Sequence, residues 1–118
     1  MSRIVSSLVA RSVAIVHAGR IVALDRPAAL LASLGREIVE LRAKDDPIAA
    51  LDALRRHGVA GDDAWAIGAT VTIPLHDRPA REAMDGIERA AVATASITAR
   101  PPTLDDVYLQ LTGEPLAA

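Results

Sequence analysis

The spacing of apolar and polar residues changes several times along the chain, and each spacing predicts an element. The apolar residues within Ile4–Val9 recur at helical spacing and predict a short helix. Two β-rich runs follow, Val13–Val16 and Ile21–Leu24, on either side of a four-residue turn. Gly19 lies in that turn and is free to take a positive φ. The two runs therefore predict a β-hairpin.

A second helix is expected directly after the hairpin. Pro27 suits the first position of a helix, where its missing N–H has no consequence. Leu30, Leu31 and Leu34 would form the apolar stripe, and Gly35 would cap the C-terminal end.

From Glu37 onward the pattern describes a self-contained α+β unit. The expected elements are a strand at Ile38–Ala43, a helix opened by Asp46 and Pro47, strands at Ala64–Ile67 and Thr70–Leu75, a helix begun by Asp77 and Pro79, and a strand at Val92–Arg100. Ile48, Leu51 and Leu54 would form the inner side of the first of these helices. The order β-α-β-β-α-β is the split βαβ arrangement and predicts a ferredoxin-like sandwich.

The end of the chain predicts one more helix. Thr103 is a suitable N-cap, and Asp106 follows at the spacing of a capping box. The apolar stripe includes Val107 and Tyr108, and Gly113 ends the pattern. We therefore expect two domains, 1–35 with a helix, the hairpin and a helix, and 36–118 with the ferredoxin-like fold and the final helix.

Composition narrows the classes of function. The 118 residues carry a formal net charge of −2, which gives no argument for nucleic-acid binding. The absence of cysteine excludes disulfides and thiolate metal sites and fits a reducing cytoplasm. Charged or polar residues interrupt every apolar stretch, so no direct membrane insertion is expected.

The titratable residues predict no catalytic, cofactor-binding or metal site. None of His17, His57 and His76 has a second histidine or a cysteine three or four residues away. The acidic pair Asp105–Asp106 falls in the first turn of a predicted helix, where carboxylates complement the helix dipole, and the pair Asp45–Asp46 is interpreted as a helix cap. We expect a chain that is not an enzyme.

Two longer segments, here called phrases, resemble the sequences of one protein family. Residues 13–27 read VAIVHAGRIVALDRP, and residues 102–113 read PTLDDVYLQLTG. In this order they resemble the C-terminal third of ATP-binding subunits of ABC transporters, in the drug- and antibiotic-export branch. The resemblance implies that the hairpin completes an ATPase core. It also implies that the segment from about Glu37 is an accessory domain that regulates or stabilises the ATPase dimer.

The family's nucleotide site has no counterpart in this sequence. A phosphate loop needs G-x-x-x-x-G-K-[ST], and the only lysine, Lys44, follows an alanine. No two glycines are adjacent, and residues 1–12 contain no switch histidine. The chain is thus interpreted as a truncated subunit or detached accessory domain without ATPase activity, cytoplasmic or peripheral to the inner face of the cell membrane. It would act by contact with an ATPase core or a transporter membrane subunit.

Four residues are the candidate partner contacts. Tyr108 could either dock its own helix into a core or touch a partner. Ile15, Ile21 and Val22 lie on the apolar faces of the hairpin, whose unpaired edge would seek another chain. A homodimer or strand exchange is expected.

A second hypothesis remains open. The chain could be a free-standing ferredoxin-like regulatory domain that binds a small ligand at its strand or helix ends. The relevant loops, Lys44–Asp46 and His76–Arg78, contain no glycine, which argues against a close backbone cradle.

Overall fold

Residues 3–7 and 12–112 are described by the computed structural model, and they divide into two compact units. The strands are β1 (Arg3–Ser7), β2 (Ser12–His17), β3 (Arg20–Asp25), β4 (Glu37–Ala43), β5 (Trp65–Ile67), β6 (Thr70–Leu75) and β7 (Thr94–Arg100). The helices are α1 (Pro27–Ala32), α2 (Pro47–Arg56), α3 (Ala80–Arg89) and α4 (Leu104–Thr112). Unit 1 contains the described residues up to Ser33 and those from Pro102, and unit 2 is Leu34–Pro101.

Unit 2 has the predicted α+β fold. Its four strands form an antiparallel sheet in the order β5-β6-β4-β7, with α2 following β4 and α3 following β6. This order places the first and third strands of the unit in the centre. The β-α-β-β-α-β ferredoxin-like sandwich is therefore confirmed.

The core of unit 2 lies between one face of the sheet and the two helices. Its fully buried members come from β4, β6 and both helices: Val39, Leu41, Val71, Ile73, Leu54 and Ile87. The predicted position of Ile48 in this core is wrong, because its side chain is 57% exposed. Ala50 lies on the buried face with Leu51 and Leu54 instead, so this face is rotated about the helix axis relative to the predicted one.

Gly86 allows α3 to lie close to the loop after α2. A Cβ at this position would stand 2.7 Å from Cγ2 of Val59, a side chain that is 4% exposed. The glycine lowers intrinsic helix stability by about 1 kcal/mol relative to alanine. Close packing explains why the helix carries it.

Gly35 is required by a close approach, not by a helix cap. The helix α1 ends at Ala32, with Ser33 as the C-cap, two residues earlier than predicted. Gly35 has φ +91°, and a Cβ there would lie 2.6 Å from the carbonyl oxygen of Leu75. Both the backbone conformation and the lack of space exclude a side chain.

Two boundaries in unit 2 differ from the predictions. The helix α3 begins at Ala80 with Pro79 as N-cap, and no side chain caps it, so Asp77 does not open the helix. The last strand begins at Thr94, not at Val92, and its pairing with β4 shifts between Arg42 and Ala43. A bulge of this kind is not visible in a hydrophobic pattern.

The predicted short helix at the start of the chain is wrong. Residues Arg3–Ser7 form β1, which pairs antiparallel with β2 from Arg3 opposite Val16 to Ser7 opposite Ser12. Six residues are too few to separate helical from extended spacing, and adjacent β-branched residues favour a strand beside a neighbour with free hydrogen-bonding groups. Leu8 and Val9 lie outside the described residues.

The hairpin of β2 and β3 is confirmed and closes with a two-residue turn. His17 pairs with Arg20, and both intervening residues have positive φ, 52° at Ala18 and 75° at Gly19. Such a pair is typical of a type I′ turn, whose twist matches that of the strands. Ala18 thus has a left-handed conformation that is energetically unfavourable for a residue with a Cβ atom.

The last helix, α4, has the predicted capping box and packs against α1. The Asp106 carboxylate accepts hydrogen bonds from the Thr103 N–H at 2.7 Å and hydroxyl at 3.0 Å. In the structure α4 belongs to the same compact unit as the hairpin. The division expected at residue 35 placed this helix in the second domain. No helix of the described residues is long and apolar enough to cross a membrane.

Substitution Gly86→Ala should destabilise the protein although alanine favours helices. We expect a loss of about 1–3 kcal/mol in the free energy of unfolding, since the new methyl group overpacks a β-branched neighbour. Chemical denaturation measures it. Adding Val59→Ala removes the obstructing methyl group, so the double variant should lose less than the sum of the two single losses; additive losses would contradict the contact.

Substitution Ala18→Asn should stabilise the hairpin. Asparagine tolerates positive φ better than alanine and gives the Asn-Gly sequence that type I′ turns favour, so a gain of about 0.5–1 kcal/mol is expected. The midpoint of thermal unfolding should rise. Ala29→Asn, on an exposed position of α1 with helical φ, is the control and should not stabilise.

Candidate functional site

One side of the hairpin is buried inside unit 1. Val13 and Ile15 are 3% and 0% exposed, and they alternate along β2 with residues that face the opposite way. Burial alternates along β2 because one face of the sheet is covered. Ile15, proposed from the sequence as a partner contact, therefore belongs to the core of this unit.

The opposite side of the hairpin presents apolar side chains. Ala14 lies opposite Leu24 and Val16 opposite Ile21, so these four residues share a face, here called the hairpin face. Ile21 is 61% exposed and Leu24 is 63% exposed, while Ala14 and Val16 are half-buried. Because β3 is an edge strand, the hairpin face continues to a backbone edge with which no described strand pairs.

Val22 lies beside this face at an irregular position. The pairing of β2 with β3 shifts between Ile15 and Val16, which leaves Val22 without a residue opposite it. Its side chain is 40% exposed. The irregularity increases local twist and turns another apolar side chain towards the surface.

A part-buried hydrogen bond joins two segments of unit 1 that are far apart in the sequence. The hydroxyl of Tyr108, on α4, lies 3.1 Å from Nδ1 of His17, at the end of β2. The two rings meet edge to face with centroids 6.0 Å apart and an interplanar angle of 75°. Tyr108 is fully buried, so its hydroxyl needs this partner.

The four candidate contact residues thus fall into two groups. Tyr108 and Ile15 are buried in the described chain, and Ile21 and Val22 lie on its surface. Tyr108 is buried in the core of unit 1, which is the first of the two alternatives that the sequence analysis gave for it. A partner contact through Ile21 and Val22 stays a prediction.

The three histidines are in separate surroundings. Nδ1 of His57 donates to the Ala53 carbonyl at 2.9 Å at the end of α2, and Nε2 of His76 lies 2.5 Å from the Asp63 carboxylate. Within residues 3–7 and 12–112, no group of three or more histidine or acidic side chains could hold a metal ion.

The acidic residues at helix starts act as caps. Asp46 accepts a hydrogen bond from the Ile48 N–H at 3.0 Å, and Asp106, 2% exposed, closes the box with Thr103. The interpretation of these carboxylates as caps is confirmed.

Two arginines have structural roles that the sequence did not indicate. Arg55 donates to the carbonyls of Gly61 and Ala64 at 3.1 and 2.8 Å, and Arg78 donates to the carbonyl of Val59. Together they hold the loop between α2 and β5. Backbone acceptors leave no trace in a sequence pattern, so no local signal could have found these bonds.

Three open clefts lie on unit 2. One of about 230 Å³ borders Asp45 and Asp46, one of about 390 Å³ borders His76–Pro79, and one of about 360 Å³ lies between α3 and β7. Across the described residues, every buried side-chain nitrogen and oxygen has a hydrogen-bond partner. No unsatisfied polar group marks a ligand position, and the ligand-binding hypothesis stays a prediction.

A scan against protein-family models, a search of curated proteins and a search of solved structures each found no match. The hairpin face and the His17–Tyr108 bond are therefore interpreted from their own geometry.

Removing the tyrosine hydroxyl should weaken unit 1. For Tyr108→Phe we expect a loss of about 1–2 kcal/mol in the free energy of unfolding, because the half-buried imidazole loses a hydrogen-bond partner. Denaturant titration of Tyr108→Phe, His17→Ala and the double variant forms a cycle. The double variant should lose clearly less free energy of unfolding than the two single variants lose in sum. Strictly additive losses would show that the bond does not contribute to stability.

Proposed function

We propose that this chain is the C-terminal part of an ABC-transporter ATP-binding subunit of the drug-export branch, and that it acts by protein–protein contact. The two phrases at residues 13–27 and 102–113 support this assignment. The ferredoxin-like fold of unit 2 supplies the accessory domain that the resemblance implies.

The observation that carries the proposal is that both phrases belong to one compact unit. The hairpin and α4 are separated by most of the chain, yet they lie together in unit 1. His17 of the first phrase binds Tyr108 of the second. If the two segments resembled the family only by chance, there would be no reason for them to contact each other. Contact is expected if both derive from one structural element of the family.

The hairpin face is the surface assigned to the ATPase core. Ile21 and Leu24 are exposed on an edge strand, and apolar residues on such an edge favour contact with another polypeptide. In the family the equivalent hairpin completes the core. We assign Ala14, Val16, Ile21 and Leu24 to that contact.

The chemistry with nucleotide is assigned to the partner. The sequence has no phosphate loop and no Gly-Gly signature segment, so it lacks the backbone amides that cradle a triphosphate. Unit 2 would regulate or stabilise the assembled ATPase dimer. The transporter's catalytic residues would all lie outside this chain.

The proposal predicts a complex with an ABC ATPase core. A drug-export ATP-binding subunit that ends before its own hairpin is mixed with this chain, and the mass is measured by light scattering. We expect a one-to-one complex. The double variant Ile21→Lys/Leu24→Lys should abolish it, because burying two ammonium groups at the contact requires a large desolvation free energy. Ile48→Lys is the matched control, because Ile48 is 57% exposed on unit 2 and lies outside the hairpin face.

Three results would contradict the proposal. The first is the absence of any complex with the core, and the second is equal loss of binding in the Ile48→Lys control. The third is specific, magnesium-dependent binding of ATP to this chain alone in a calorimetric titration. A homodimer broken by the Ile21→Lys/Leu24→Lys variant would assign the hairpin face to a second copy instead of the core.

A further inference from the structure

The last strand of unit 2 has a free edge with little protection. β7 is the terminal strand of the sheet, and its exposed residues are Ala95, Ser96, Thr98 and Ala99. Its pairing with β4 is regular from Ser96 to Arg100. No charge or proline occurs in β7 before Arg100, so these two devices that discourage strand addition are missing from residues 96–99, and the irregularity in the pairing with β4 lies before that run.

The one cation of β7 is already engaged. The guanidinium of Arg100 donates to the Glu40 carboxylate at 2.8 Å on the neighbouring strand β4. Glu40 and Arg100 lie on the sheet face opposite Leu41 and Ile97, because successive residues alternate between faces. The arginine therefore does not guard the edge on the helical side.

A cleft runs beside this edge on the helical side of the sheet. It has a volume of about 360 Å³ and lies between α3 and the start of β7. Its apolar walls include Met84, Ile87, Val92 and Ile97. An apolar side chain of a strand added to β7 would enter this cleft, since alternate side chains of an added strand face the same way.

The rim of the cleft is acidic. Asp85 and Glu88 line it, both are exposed, and no described residue forms an ion pair with either carboxylate. Two unpaired carboxylates beside an apolar cleft select a cationic partner by charge complementarity. A second copy of this chain would instead add two further carboxylates to the same side of the joined sheet.

From these observations we propose that β7 and the α3–β7 cleft bind an extended protein segment in which an apolar residue alternates with lysine or arginine. The segment adds to the sheet as a fifth strand through main-chain hydrogen bonds. Its apolar side chain occupies the cleft, and its cations, two residues away on the same face, meet Asp85 and Glu88. This surface lies wholly within unit 2 and does not depend on the hairpin face.

The experiment uses the full chain and synthetic peptides. The probe is a labelled heptapeptide, Lys-Thr-Leu-Thr-Lys-Thr-Leu, which places lysine and leucine on one strand face. One twin has glutamate in place of lysine, and another has all central amides N-methylated. Affinity is measured by fluorescence anisotropy at low salt, and amide protection of β7 is measured by hydrogen exchange.

The basic peptide should bind and should slow exchange at residues 96–99. The variant Asp85→Lys/Glu88→Lys should weaken this binding by about tenfold, as expected for the loss of two exposed ion pairs, and should bind the glutamate twin better than the basic one. Glu82→Lys, on α3 but not on the cleft, is the control and should change neither affinity more than slightly. The N-methylated twin should not bind.

Failure of the basic peptide to bind would overturn the proposal, as would equal binding of the N-methylated twin. Equal weakening by Glu82→Lys would show that only net charge matters and would also overturn it. A homodimer that protects residues 96–99 without peptide would replace the proposed occupant with a second copy.

Discussion

Unit 1 depends on the burial of one aromatic residue together with its hydroxyl group. A fully buried tyrosine contributes a large apolar area, but its hydroxyl would lower stability if it were left without a partner. His17 meets this requirement from the end of β2. The bond ties α4 to the end of β2, and the exposed side chains of Ile21 and Leu24 lie on the face of the hairpin opposite the buried Ile15.

The sequence predicted unit 2 well where local and tertiary preferences agree. Asp46 and Pro47 mark a helix start by their own chemistry, and the alternation at Val39 and Leu41 reflects one covered face of the sheet. Prediction failed at the start of the chain, where a six-residue pattern was too short to identify a helix and residues 4–7 pair with β2 as part of a strand. The packing that requires Gly86 could not be predicted either, because it involves a residue distant in sequence.

The candidate surfaces were predictable to different degrees. The two β-rich runs indicated a hairpin with apolar faces, and Ile21 and Val22 are exposed. Ile15 could not be separated from them, because the sequence does not say which face of a hairpin its own chain covers. The α3–β7 cleft had no sequence signal, since it arises from the spacing between a helix and an edge strand.

The division of the chain also constrains how it folds. Unit 2 is one continuous segment, so its strands and helices can pair as soon as residues 34–101 have left the ribosome. The hairpin and α1 are synthesised before unit 2, whereas α4 follows unit 2 in the chain. During synthesis β2 therefore lacks its hydrogen bond to Tyr108 until unit 2 has been made, an interval in which a chaperone or a neighbouring subunit would have access to this strand.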